Sequence, residues 1–175
     1  MSFQLPFNKK QIVEELKRRQ TMPENPSPEL IKYSLEFNKF YEQIDEFAMF
    51  VLELFCLELE KINIFPTRLI FALVGGRIYG KPLDLDSDID FIIGVEEQIP
   101  IPLNFYDISK VRSHNIEISR RWIREFSSNE LISRKFKNLS NINWFEFKGV
   151  YLISEIAQRY KEEDDVLPIC ELIKR

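Results

Sequence analysis

Glycine is scarce in this chain, at 5 of 175 residues, and cysteine and histidine are scarcer still, at 2 and 1. So little glycine argues against a flexible, fibrous or low-complexity chain. Cys56 and Cys170 lie far apart in no paired spacing, which argues against a bridge or a thiolate metal site. Both read as buried apolar residues of a reducing compartment. The lone histidine, His114, has no His or Cys partner for zinc and reads as a loop residue. Long apolar runs are missing as well. The greasiest stretch, "FAMFVLELFCLELE", is too short and too acidic to span a bilayer. "MSFQLPFNKK" lacks an apolar core with basic flanks, so no signal peptide, no membrane and a cytoplasmic location are expected.

A general excess of positive charge is also absent. The net charge is −4 and the pI is near 5.3, which argues against tight, sequence-blind binding to nucleic acid. The charge is uneven, however. Residues 110–137 hold Lys110, Arg112, Arg120, Arg121, Arg124, Arg134, Lys135 and Lys137 against Glu117, Glu125 and Glu130. The plainer reading is solvated helix faces, and the sharper one is a patch that meets the phosphates of a nucleotide or RNA. What the chain has in abundance is phenylalanine, 15 residues, within a 45% hydrophobic composition that suits one domain with a real core.

Periodicity supplies the elements. Ile12, Val13 and Leu16 fall at helical spacing in residues 8–20, with Asn8 as cap. The prolines of "TMPENPSPEL" then make an extended connection, so residues 1–26 read as an N-terminal helix and Pro-rich connection, and 27–175 as the main domain. Ser27, Pro28 and Glu29 read as cap, first position and first-turn acid of a second helix running to about Lys61. Phe37, Phe40, Tyr41, Ile44, Phe47, Ala48, Val51 and Phe55 form its broad stripe, which suits core packing better than a ligand groove. "RLIFALVGG" and "DIDFIIGV" read as strands covered on both faces. Residues 102–112 read as a short helix or as a strand, "NIEIS" as a strand, and "SRRWIREF" and "SSNELISRKF" (capped by Ser128) as helical pieces. "INWFEF" reads as a last strand, "GVYLISEIAQRY" as a helix and "KEEDD" as a solvated turn. The order of these elements predicts an α/β or α+β fold, a small mixed sheet with helices packed on it.

The chemistry concentrates in Phe71–Gly94, "FALVGGRIYGKPLDLDSDIDFIIG". Alternate strand residues share a face, so Asp88 and Asp90 stand side by side while Ile89 and Phe91 turn inward. Two carboxylates in a partly apolar setting repel unless a proton or cation separates them, and an all-oxygen pair suits Mg2+ or Mn2+. Gly75 and Gly76 end the preceding strand where backbone N–H groups can approach an anion, and Arg77 can fork onto phosphate oxygens. Each part alone is commonplace, since Asp-x-Asp and Gly-Gly occur in many surface loops. The joint pattern is far more specific.

That pattern resembles the nucleotidyltransferase fold of the DNA polymerase β superfamily, especially its small prokaryotic and aminoglycoside nucleotidyltransferase members. "GGRIYG" matches the first half of the signature and "SDIDFII" the second, over about residues 69–95. Two departures stand out: Gly76 replaces a commoner serine, and the loop between the halves is about a residue longer. The resemblance implies that Asp88 and Asp90 hold the metal, while Gly75, Gly76 and Arg77 receive the β and γ phosphates. Ser87 is grouped with the nucleotide-binding residues, and with Asp86 it shapes the loop. A third acid is expected on a later strand: Glu117 first, Asp107 next if its segment is a strand, Glu146 third. The implied activity moves an AMP unit from ATP to a hydroxyl of a protein, RNA end or small molecule such as an aminoglycoside. A HEPN-type ribonuclease toxin is the implied protein partner. The alternatives are a catalytically degenerate, antitoxin-like binding module and, after it, a polymerase-like enzyme on nucleic acid.

Overall fold

A computed structural model of the chain describes residues 3–61, 63–96 and 145–174. Its first helix, α1 (Lys9–Arg19), is set by a capping box: Gln11 N donates to Asn8 Oδ1 and Asn8 N donates to Gln11 Oε1, both at 2.9 Å. The second, α2 (Pro28–Glu42), starts where Leu30 N donates to Ser27 Oγ at 3.1 Å and Pro28 supplies a preset φ. The single helix expected over 28–61 is broken. At Gln43 the backbone turns to φ −115°, ψ 11°, and α3 (Ile44–Lys61) follows. Two antiparallel strands come next, β1 (Arg68–Val74) and β2 (Ile89–Val95), with the one-turn helix α4 (Gly76–Tyr79) between them. The remaining described elements are β3 (Phe145–Leu152), α5 (Ile153–Glu162) and β4 (Val166–Ile173).

The sheet is mixed, in the order β3-β2-β1-β4: β1 pairs antiparallel with β2 and β4, and β2 pairs parallel with β3. This mixed α+β architecture has four strands and five helices among the described residues. Both sheet faces are covered, which explains why β1 and β2 read as unbroken apolar runs. On one face, Phe47 of α3 stacks on Phe145 at 4.6 Å and Phe71 stacks on Phe91 at 5.1 Å. Burying one such ring contributes roughly 1.5–3 kcal/mol, so the aromatic stripe of the helices is core. α1 joins this core through Ile12, Val13 and Leu16. On the other face Ile156 of α5 meets Ala72, Val74, Ile92 and Val166. There a side chain at Gly94 would meet Ile156 Cδ1 at 2.5 Å, so the glycine lets α5 approach closely.

Two further expectations change. Residues 149–152 continue β3 rather than opening a helix, so α5 starts at Ile153. "KEEDD" is not a solvated turn throughout: Lys161 and Glu162 end α5, and Asp165 is buried against Arg159 at 2.9 Å, before an edge strand of the described sheet, β4, which was not foreseen. It contains Pro168, and the register against β1 shifts beside it, between Phe71 and Ala72. A residue without an N–H is tolerated at such a place. The segments "PLNFYDI", "NIEIS", "SRRWIREF" and "SSNELISRKF", the basic stretch 110–137 and His114 lie outside the described residues. No helix among the described residues is long and apolar enough to cross a membrane.

Candidate metal centre

The site forms at one end of the sheet, where β1 stops and β2 and β3 begin. Asp90 is the second residue of β2, paired with Val74 on one side and with Glu146 of β3 on the other. Ile89 and Phe91 are buried and Asp88 and Asp90 only partly so, the alternation expected of a strand. Carboxylate oxygens of Asp88, Asp90 and Glu146 all lie within 4.8 Å of one another. Among the described residues, Glu146, third among the sequence candidates, is the acid brought to the two aspartates. Glu117 and Asp107 lie outside the described residues.

Electrostatics follow from this crowding. Burial, and then the charge of Asp88, push the Asp90 carboxyl up to about 7. Burial, and then Glu146, raise Asp88 as well. Lys148, which the sequence reading passed over, answers part of the charge with its ammonium 3.0 Å from Glu146. Burial works against that ammonium, but the hydrogen bond to Glu146 and the charges of Asp90, Glu146 and Asp88 hold its proton above the usual lysine range. Its placement has a backbone cause. The β2–β3 register passes from Phe91–Phe147 to Ile92–Gly149, so Lys148 is the extra residue of a bulge next to Gly149 at φ 140°. Bulges of this kind re-aim side chains at sheet ends.

The charge balance is incomplete. Asp90 Oδ1 is buried and has no hydrogen-bond partner among the described residues, a state that costs free energy unless another group completes it. An all-carboxylate donor set with one oxygen in that state fits a hard divalent cation such as Mg2+ or Mn2+.

Across from the acids, Gly75 closes β1 at φ 81°. A Cβ there would press on Asp90 Oδ2 and lie 3.1 Å from its Cγ, so both conformation and space demand glycine. The turn is closed by Ile78 N and Tyr79 N donating to Gly75 O at 3.0 and 3.1 Å and by Lys81 N donating to Gly76 O at 3.0 Å. Gly76 has only the Lys81 stem 3.5 Å from where its Cβ would stand. Arg77 is 4% exposed. Its guanidinium lies 5.7 Å from the Phe37 ring centroid and donates from Nη2 to Lys81 O at 3.1 Å, while the buried Nη1 has no hydrogen-bond partner among the described residues. Ser87 is spent inside the loop. Asp84 N donates to its Oγ at 3.0 Å, and that hydroxyl lies 3.2 Å from Asp84 Oδ1. Asp86 N donates to Asp84 Oδ1 at 2.9 Å, so Asp84, which the sequence reading did not single out, organises the turn.

Fold and site together define a mixed α+β protein with an acidic centre at the end of its sheet. No protein-family model, no curated protein and no solved structure matches the chain.

Proposed function

We propose that the chain is a nucleotidyltransferase that uses Mg2+ or Mn2+ to move a nucleoside monophosphate from its triphosphate, ATP first among them, to an acceptor hydroxyl. The observation that carries the reading is the convergence of Asp88, Asp90 and Glu146 within 4.8 Å, with Asp90 Oδ1 unpartnered among the described residues. Support comes from the Gly75 turn, which leaves room at the acids where any other residue would fill it. Asp88, Asp90 and Glu146 would hold the ion, which supplies charge neutralisation and Lewis acidity toward phosphoryl oxygens. In the reaction the acceptor hydroxyl gives its proton to water as its oxygen forms a bond to the α-phosphorus, the bond from that phosphorus to the oxygen bridging to the β-phosphate breaks, and pyrophosphate leaves with that electron pair. The chain's part is placement and charge: Lys148 adds a fixed cation beside the acids, and the buried Arg77 holds the glycine turn.

The burial of Arg77 favours a second reading, a nucleotide- or partner-binding module without turnover, because a guanidinium engaged with Phe37 and Lys81 is not free to follow a transferring phosphate. One experiment separates the two. The chain is incubated with each α-labelled triphosphate and Mg2+ or Mn2+, alone, with RNA, with aminoglycosides and with cell extract containing candidate protein acceptors such as HEPN-type toxins. Transfer of label, lost in Asp90→Asn, is expected. Saturable triphosphate binding with no label transferred under any condition would establish the module, and absence of both would overturn the nucleotide reading.

A further inference from the structure

Asp88 lies one residue before β2, outside its paired register, so the loop from Gly80 to Ser87 must set its position. That loop is held from outside by the N-terminal helical region. Thr21 Oγ1 donates to Gly80 O at 2.8 Å, and Leu83 N donates to Thr21 O at 2.9 Å. At its far end the Tyr33 hydroxyl, in buried surroundings, donates to Ser87 O at 2.6 Å, immediately before Asp88. Tyr33 is 8% exposed and meets Phe37 edge-on, with ring centroids 5.0 Å apart. Phe37 in turn carries the Arg77 guanidinium at 5.7 Å. Tyr33 and Phe37 are one helical turn apart, so a single stripe of α2 touches both the Gly75–Arg77 turn and the loop that delivers Asp88.

We infer that Tyr33, with Thr21, is a positioning residue for the candidate metal centre: its hydroxyl fixes the Ser87 carbonyl and thereby the reach of Asp88 toward Asp90 and Glu146. The inference rests on the metal-dependent reading above. It gives the aromatic stripe of α2 a second duty besides core packing. The arrangement suits such a duty because Tyr33 is anchored by its ring on Phe37, so the hydroxyl acts from a fixed platform rather than from a mobile side chain.

The test is Mn2+ binding to the full chain, followed by calorimetry at a temperature where circular dichroism shows every variant folded. Tyr33→Phe keeps the ring and removes only the hydroxyl. It is expected to weaken Mn2+ binding about fivefold, the size of one lost hydrogen bond. Thr21→Val is expected to weaken it about threefold by the same route. Leu172→Ala on β4, chosen to lower the melting temperature without touching the loop, is expected to leave the affinity unchanged. A purely structural role for Tyr33 moves the melting temperature and not the affinity of the folded protein. Unchanged Mn2+ affinity in Tyr33→Phe, or an equal loss in Leu172→Ala, overturns the inference while leaving the metal centre standing. Should Tyr33→Phe fail to fold, unchanged affinity in Thr21→Val overturns it instead. No Mn2+ binding by the unaltered chain is a different result, which removes the metal reading and this inference with it.

Discussion

The two ends of β2 are built on opposite terms. From Phe91 to Val95 every side chain is buried against a complementary neighbour, with Phe91 between Phe71 at 5.1 Å and Phe147 at 5.4 Å. One residue earlier, Asp90 faces two more carboxylates and leaves an oxygen with no partner among the described residues. The fold therefore carries a self-opposed cluster on a frame that is otherwise satisfied. Strain of this kind persists only where the surroundings over-determine it.

The sharpest way to break the contrast is to damage the satisfied end. Phe91→Ala is expected to cost about 3–5 kcal/mol in urea unfolding, because it opens a cavity among rings that cannot collapse onto it. Gly75→Ala attacks the other end. A side chain at φ 81°, pressed against Asp90, is expected to cost about 2 kcal/mol and to abolish stabilisation by Mn2+ in thermal melts. A cost below about 0.5 kcal/mol would show that the turn and Asp90 are not in contact.

Asp90 tests the opposition directly. Its carboxyl is raised to about 7 by burial and by Asp88, so the metal-free fold holds a proton that the unfolded chain releases near 4. That contribution to stability is complete below the unfolded value and is lost as pH rises through about 7. Metal-free protein is thus expected to lose stability from pH 4 to pH 8, and Asp90→Asn to flatten this part of the profile and to melt a few degrees higher at pH 8. With Mn2+ at a hundred times its dissociation constant, the unaltered chain should regain about 2.7 kcal/mol at pH 8, and Asp90→Asn none of it. A parallel pH profile for the two metal-free chains would sink the shared-charge account. The smallest effect is expected from Lys148→Met. Removing a half-exposed cation beside Glu146 should tighten the binding of bare Mn2+ only about two- to threefold, because solvent screens the pair. Weaker binding in that variant would mean that Lys148 orients Glu146 rather than competing for it.

The same contrast explains what could be read from the chain. The satisfied parts announced themselves locally: Asn8 and Ser27 cap their helices, and β1 and β2 are apolar runs covered on both faces. Asp90 was legible from the period of one strand, and Asp88 from its place two residues earlier in the same short segment. Glu146 could be named only third, because its place depends on parallel pairing between β2 and a distant strand, and no short-range pattern encodes that register. Lys148 is aimed by a bulge, which composition does not announce. The break at Gln43 was invisible for another reason. Phe40 of α2 and Phe47 of α3 both reach the Phe145 ring, so the apolar stripe runs straight across the interruption, with no glycine or proline to mark it. Pro168 concealed β4, since proline inside an apolar run argues against a strand unless it lies at an edge.

The parallel union of β2 with β3 has a bearing on how the molecule assembles. Neighbouring β1 and β2 can zip together early, whereas Glu146 arrives only after a long stretch of chain has been drawn in, an entropically slow event. An ion gripped from both strands would bind after the rate-limiting step of folding, leaving the refolding rate almost unchanged while slowing the escape from the native state.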